Sequence, residues 1–168
     1  MSELDPLQRA VVQCALPAAL EAMGERWSFM ILRATFNGLS HFEQFQSTLG
    51  IARNILANRL ARLVNHGILE RRACADDRRK VIYQLTPKGE ALLPTLIALR
   101  QWGERWEACM PSNPVLVDAR NGQPVGEIVV RAADGRPLSL HELRWVDRAE
   151  LEAGQARCLR SGEPVPAH

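Results

Sequence analysis

Arg53, Asn54, Ala57, Asn58, Ala61 and Arg62 recur at steps of one, three and four, which places them on one face of a helix. Arginine pairs in two-pronged fashion with guanine edges and asparagine with adenine edges, and alanines between them let a helix sit deep in a groove. Shortly downstream, Asp76-Asp77-Arg78-Arg79-Lys80 forms a charged tip between two apolar runs. Arg62, Arg78, Arg79 and Lys80 are suited to holding phosphates, which fix register without reading sequence. The chemistry on offer is recognition of double-stranded DNA, not catalysis. His41, His66, His141 and His168 are isolated, and there is no nucleophile motif, Gly-rich phosphate loop, Cys-x-x-Cys or His-Glu-x-x-His. The sequence therefore implies neither an enzyme nor a metal site.

Charge distribution agrees with this reading. The chain of 168 residues has a net charge of only +2. Residues 51–80 hold eight Arg and Lys (53, 59, 62, 71, 72, 78, 79, 80) against three acids (70, 76, 77), a local +5. Residues 111–168 hold seven Arg against eight acids, a local −1. Positive charge is concentrated where phosphate neutralisation would need it. A hydrophobic fraction of 46% and a charged fraction of 24% are those of a globular domain with a real core. No apolar run is long enough for a membrane span, and the acidic start Met-Ser-Glu-Leu-Asp-Pro does not read as a secretory signal. The four cysteines (14, 74, 109, 158) are scattered, as in a reducing compartment, so a cytoplasmic location is expected.

The elements that must position these residues follow from periodicity and stop signals. Residues 16–23 read as a short helix with Pro17 near its start and Gly24 after it. Trp27, Met30, Ile31, Ala34 and Thr35 give the next helix one buried stripe, ended by Asn37-Gly38. Ser40-His41-Phe42-Glu43 matches a capping box and predicts a third helix from His41 to Gly50. The fourth covers 53–65, with Leu56, Leu60, Leu63 and Val64 inward and His66-Gly67 closing it. Residues 68–72 and 80–85 alternate as strands around the tip at 73–79. Thr86-Pro87 then opens a long helix predicted to run to Cys109, with Pro94 early in it. Its stripe of Leu92, Leu93, Leu96, Leu99, Trp102 and Trp106 is too broad for a lone surface helix and calls for a second copy of the chain.

The predicted fold is mainly α with a small β wing, an α+β arrangement: a winged helix-turn-helix plus a C-terminal β-hairpin appendage. Residues 1–110 form the DNA-binding and dimerisation domain, 111–161 a small extension and 162–168 a disordered tail. In the extension, 115–119 and 125–130 are predicted strands around Asn121-Gly122. Ser139-Leu140-His141-Glu142 is a second capping box, opening a helical turn through Trp145. Too small to be stable alone, the extension is expected to pack on the long helix or on the other subunit.

One ordered set of residues runs through Cys14, Gly24-Glu25-Arg26-Trp27, Ile31-Leu32-Arg33, His41-Phe42 and Phe45. It continues through Leu56, Arg59-Leu60, Leu63, Gly67-Ile68-Leu69, Tyr83, Leu85-Thr86-Pro87, Gly89 and Trp102. On these residues, 12–107 resemble the HxlR-type transcriptional regulators, relatives of the MarR winged-helix group, and the resemblance carries expectations. It implies a homodimer formed by the terminal helices and binding to a pseudo-palindromic operator. Many members carry Ser or Thr where this chain has Ala52, which removes a helix cap and a phosphate contact. Members that sense oxidants or electrophiles keep a reactive thiol near Cys14, so the resemblance marks Cys14 as a thiol-sensor candidate. Here the following helix, Arg9 or Arg26 would have to stabilise the thiolate. Longer members carry tail cysteine pairs like a zinc ribbon, whereas 130–138 here keeps the turn without thiols, so no cofactor is expected. Two other readings stay open: a small-molecule-responsive regulator, with a cavity lined by Trp27, Phe29, Met30, Trp102 and Trp106, and a protein-interaction module that does not bind DNA specifically.

Overall fold

A proline in its first turn and a glycine after its last residue bound the first helix, α1 (Leu16–Met23). Gly24 takes a φ of 75° and its N–H closes on the carbonyl of Leu20. The computed structural model describes residues 14–73 and 81–153. Helix α2 (Arg26–Phe36) is the hub. Its fully buried residues are Ser28, Ile31, Leu32 and Ala34, while Trp27, Met30 and Thr35 of the predicted stripe are only half-buried. The buried face is rotated and widened because α2 packs on several later elements, not on one.

Helix α3 (Phe42–Leu49) starts one residue later than predicted, with His41 as its N-cap. The expected Ser40–Glu43 box does not form. Gln44 takes over, its Oε1 accepting from the N–H groups of His41 at 3.0 Å and Ser40 at 3.1 Å. The one-residue shift puts position N3 at Gln44 instead of Glu43. Gly50, at φ 61°, ends α3 and turns the chain into α4 (Arg53–Asn65). Leu56, Leu60 and Leu63 of α4 lie in the core with Ile31, Leu32, Phe45, Ile51, Ile68 and Leu69.

Strands β1 (Leu69–Ala73) and β2 (Val81–Leu85) pair antiparallel, with Leu69 opposite Leu85 and Ala73 opposite Val81. The loop before α3 adds to their edge: Tyr83 N–H donates to the Ser40 carbonyl at 2.8 Å, and His41 bridges Ile82. Thr86 ties the base of this wing to the end of α4. Its Oγ1 donates to the Gly67 carbonyl at 2.6 Å and accepts from Gly89 N–H at 3.1 Å, while Lys88 Nζ reaches the His66 carbonyl at 2.8 Å.

The long helix predicted after Thr86 is broken. α5 (Pro87–Glu90) is one turn, and α6 (Leu93–Trp106) begins after Ala91-Leu92, with Pro94 in its first turn. Proline lacks an N–H and its ring clashes with the carbonyl four residues back, so the helix restarts instead of running through. None of the residues of α6 is fully buried.

Residues Cys14–Ile128 form one compact unit. Within it, 111–128 is fastened to α6 by side chains. Arg100 donates to the carbonyls of Pro114 at 2.6 Å and Ser112 at 3.3 Å. Gln101 donates to the Gly126 carbonyl at 3.0 Å and accepts from Ile128 N–H at 2.9 Å. The turn at Asn121-Gly122 forms, with Gly122 at φ 71°, but the predicted strands reduce to a single bridge between Val117 and Pro124. The next position of the ladder would pair Glu127 with Pro114, which has no N–H and whose carbonyl Arg100 takes. The described part of the second unit, 129–153, has a bridge between Arg131 and Pro137 around the Asp134-Gly135 turn. The second capping box forms, Glu142 accepting from Ser139 N–H at 2.8 Å, but it opens a single 3-10 turn, Leu140–Glu142, which does not reach Trp145. The expected disordered tail at 162–168 lies outside the described residues. No helix among the described residues is long and apolar enough to cross a membrane.

Candidate nucleic-acid interface

Helix α4 divides its polar residues between two jobs. Arg53, Asn54, Ala57, Asn58 and Ala61 are all exposed on its outer face. Arg59 and Arg62 turn back toward the first two helices. Arg59 pairs with Glu25, the N-cap of α2. Arg62 pairs with Glu21 of α1 at 2.8 Å and also donates to that residue's backbone carbonyl. Arg62, expected on phosphates, is thus half-buried and engaged as an anchor of α4. Arg53 stacks over the ring of Phe42 at 4.9 Å, which holds its guanidinium near the start of α4.

The N-terminus of α4 has Ala52 as N-cap and no side-chain capping bond. Its first N–H groups are therefore left for solvent or an anion, and the helix dipole favours the latter. Beside it, His41, Phe42, Gln44, Arg53, Arg71 and Tyr83 line a concavity of about 600 Å³ between α3, α4 and the wing. By sequence Arg71 is only a strand residue within the positive segment 51–80. Alternation along β1 was the available signal, because Arg71 shares its position in the sheet with Tyr83 across the strand pair. Arg78, Arg79 and Lys80 lie outside the described residues.

Cys14 is exposed, immediately ahead of α1, and its Sγ accepts from Leu16 N–H at 3.4 Å. Arg26 lies over the Trp27 ring at 5.1 Å. Arg9 lies outside the described residues. Cys109, at the end of α6, is a second exposed thiol. The aromatic residues expected to share one cavity are split. Phe29 and Met30 line a cavity against α6, whereas Trp102 and Trp106 face a separate concavity beside Arg105 and Glu127. Trp27 lines neither.

Two helices joined through Gly50, the second with an open polar face, followed by a two-stranded antiparallel wing, define a winged helix-turn-helix. The chain belongs to the HxlR-like helix-turn-helix family, whose model matches residues 22–110. The solved structure of PA1607, described as a candidate transcription factor, is 42% identical and superposes with a TM-score of 0.75 over 83% of this chain and 98% of that one. An uncharacterized HTH-type transcriptional regulator, Rv3095 of Mycobacterium tuberculosis, is 40% identical over 88 residues, 52% of this chain. That match spans only 56% of the relative's length. The redox regulator HypR in its oxidized form is 26% identical, with a TM-score of 0.50 over 55% of this chain and 96% of that one.

Proposed function

We propose that this chain is a homodimeric, sequence-specific DNA-binding transcriptional regulator. The observation that carries this is the division of labour on α4. Arg59 and Arg62 anchor the helix inward while Arg53, Asn54, Ala57 and Asn58 stay exposed. A helix fixed from behind and polar in front is positioned for the major groove. Arg71 and the wing residues Arg78, Arg79 and Lys80 then hold phosphate. The exposed apolar residues of α6, Leu99, Trp102 and Trp106, supply the dimer face, and two copies of α4 about 34 Å apart read a pseudo-palindrome. A gel-shift on the DNA upstream of its own gene tests this. Binding should persist against competitor DNA and be lost when Arg53 and Arg79 are both changed to Ala. Binding that ignores both changes, or shows no sequence preference, returns the wing to the role of a protein-interaction module.

The thiol reading is supported by Cys14 itself. It is exposed and its Sγ receives a hydrogen bond from the Leu16 N–H in the first turn of a helix, and one structural neighbour is a redox regulator. Diamide or peroxide should release operator from the wild type and not from Cys14→Ser, with Cys109→Ser as the parallel control. Equal release from wild type and Cys14→Ser excludes Cys14 as the sensor.

A further inference from the structure

In the concavity beside the start of α4, basic side chains from three elements meet. His41 comes from the start of α3, Arg53 from α4 and Arg71 from β1, around a space of about 600 Å³. The other titratable groups facing it are Glu43 of α3 and Tyr83 of β2. The His41 ring is held by its own neighbours. Its Nδ1 lies 3.1 Å from Ser40 Oγ and 3.3 Å from Gln44 Oε1, and the residue also bridges Ile82 of β2. Its Nε2 makes no hydrogen bond among the described residues. One edge of the ring is thus engaged in the cap of α3, and the other is left for whatever occupies the concavity. In the sequence His41 is isolated, and nothing there marks it as a ligand.

Two guanidinium groups and an imidazole against one carboxylate suit an anion. Arg53, Arg71 and Glu43 are exposed, so a free anion would stay hydrated there and gain little. A phosphodiester within a duplex differs, because it cannot enter a closed cavity and the other contacts of the complex hold it in place. Arg53 belongs both to the outer face of α4 and to the concavity, which therefore borders the recognition face at its N-terminal end. In a helix-turn-helix the first helix crosses the DNA backbone while the N-terminal residues of the second meet base edges, and His41 caps the first. We propose that the concavity seats one backbone phosphate of bound DNA, with His41 Nε2 donating to it together with Arg71. This rests on the DNA-binding reading and adds His41 to its contacts. Histidine changes charge between pH 5 and 8, and an imidazolium attracts phosphate more than the neutral ring does. Bound phosphate therefore favours the proton, and the contact strengthens as the pH falls.

Fluorescence anisotropy of the full-length protein on a duplex of the DNA upstream of its own gene is measured at about pH 5.5 and about pH 8, at constant ionic strength, which brackets the histidine range. Wild type is compared with His41→Asn, because asparagine keeps a good helix cap while removing the ring. Acidification should tighten binding about 5-fold more in wild type than in the variant, the scale of an exposed charge contact. His41→Arg, charged at both pH values, should remove most of the difference between them. In the wild type, NMR should show the His41 ring losing its proton at a higher pH with the duplex than without it. An equal acid gain in wild type and His41→Asn, or a His41 titration that ignores the duplex, overturns the contact and leaves the proposed function standing. A protein that binds no duplex at either pH overturns both.

Discussion

Gly89 lies directly against the backbone carbonyl of Ile68: a Cβ at Gly89 would sit 2.2 Å from that oxygen. The contact closes the junction where the wing meets the end of α4, beside the Thr86 bonds to Gly67 and Gly89. Neither the carbonyl nor the short α5 can retreat without breaking those bonds. Gly89→Ala should therefore destabilise the domain by about 2–3 kcal/mol, the scale of overpacking at a rigid site. Thermal denaturation should show a Tm several degrees lower. An unchanged Tm would mean that the junction yields freely.

Glu21 would have to release Arg62 before that guanidinium could reach a phosphate. It holds that guanidinium on α1 at 2.8 Å, and the pair is partly exposed, so its own contribution to stability is small, of order 1 kcal/mol or less. Glu21→Gln removes the ion pair and leaves Arg62 held by the carbonyl of residue 21, so it should steepen the salt dependence of DNA binding by at most about one unit in slope. Fluorescence anisotropy across a salt series measures this. An unchanged slope assigns Arg62 to anchoring alone.

Asn58 is exposed on the outer face of α4, four residues after Asn54. Asn58→Ala should cost about 1–3 kcal/mol on the operator and little on unrelated DNA, because a base-edge contact discriminates where a phosphate contact does not. Competition gel-shifts separate the two. A uniform loss on all sequences would place Asn58 on the backbone instead.

The legible and illegible parts of this molecule divide by where each residue's partner lies. Helix α4 has the predicted bounds because Leu56, Leu60 and Leu63 at steps of four and three, with Gly67 behind them, are local signals. The same helix's inward arginines were not legible: Glu25 is 34 residues from Arg59, and Glu21 is 41 from Arg62. On a helical wheel Arg62 looks as open as Asn58. The Asn121-Gly122 turn was readable from its dipeptide, but the shortness of the pairing beside it was not, since the Pro114 carbonyl that would continue it is taken by Arg100, 14 residues away. For the helix after Thr86, Pro94 was visible, but whether it would kink or divide the helix depended on how the chain packs around it.

Trp102 and Trp106 are 52% and 64% exposed, with Leu99 half-exposed on the same helix. A patch of this kind on a soluble domain marks an interface. Trp102→Glu should shift the protein from dimer to monomer in sedimentation or light scattering and weaken operator binding, because each half-site would then bind alone. A dimer that survives the change would move the interface to another face.

Glu104 reports on the clasp that fastens 111–128 to α6. Its carboxylate accepts from Ser112 N–H at 3.3 Å and from Arg100 Nε at 2.9 Å. The Ser112 side chain foremost, then Arg100, with the Ser112 N–H contributing least, outweighs partial desolvation and holds its pKa below the usual glutamate value. A carboxylate whose pKa is lower folded than unfolded stabilises the fold fully above the unfolded value, about 4.3. That contribution fades as the pH falls through the lowered native value, when the proton displaces the bonds from Arg100 and Ser112. The side-chain carboxyl resonance of Glu104 should therefore titrate with a midpoint below that of an ordinary glutamate. The amide of Ser112 should shift with the same midpoint, and Glu104→Gln should remove that step from the Ser112 profile. A Ser112 profile that ignores Glu104→Gln would show that the clasp does not depend on the carboxylate.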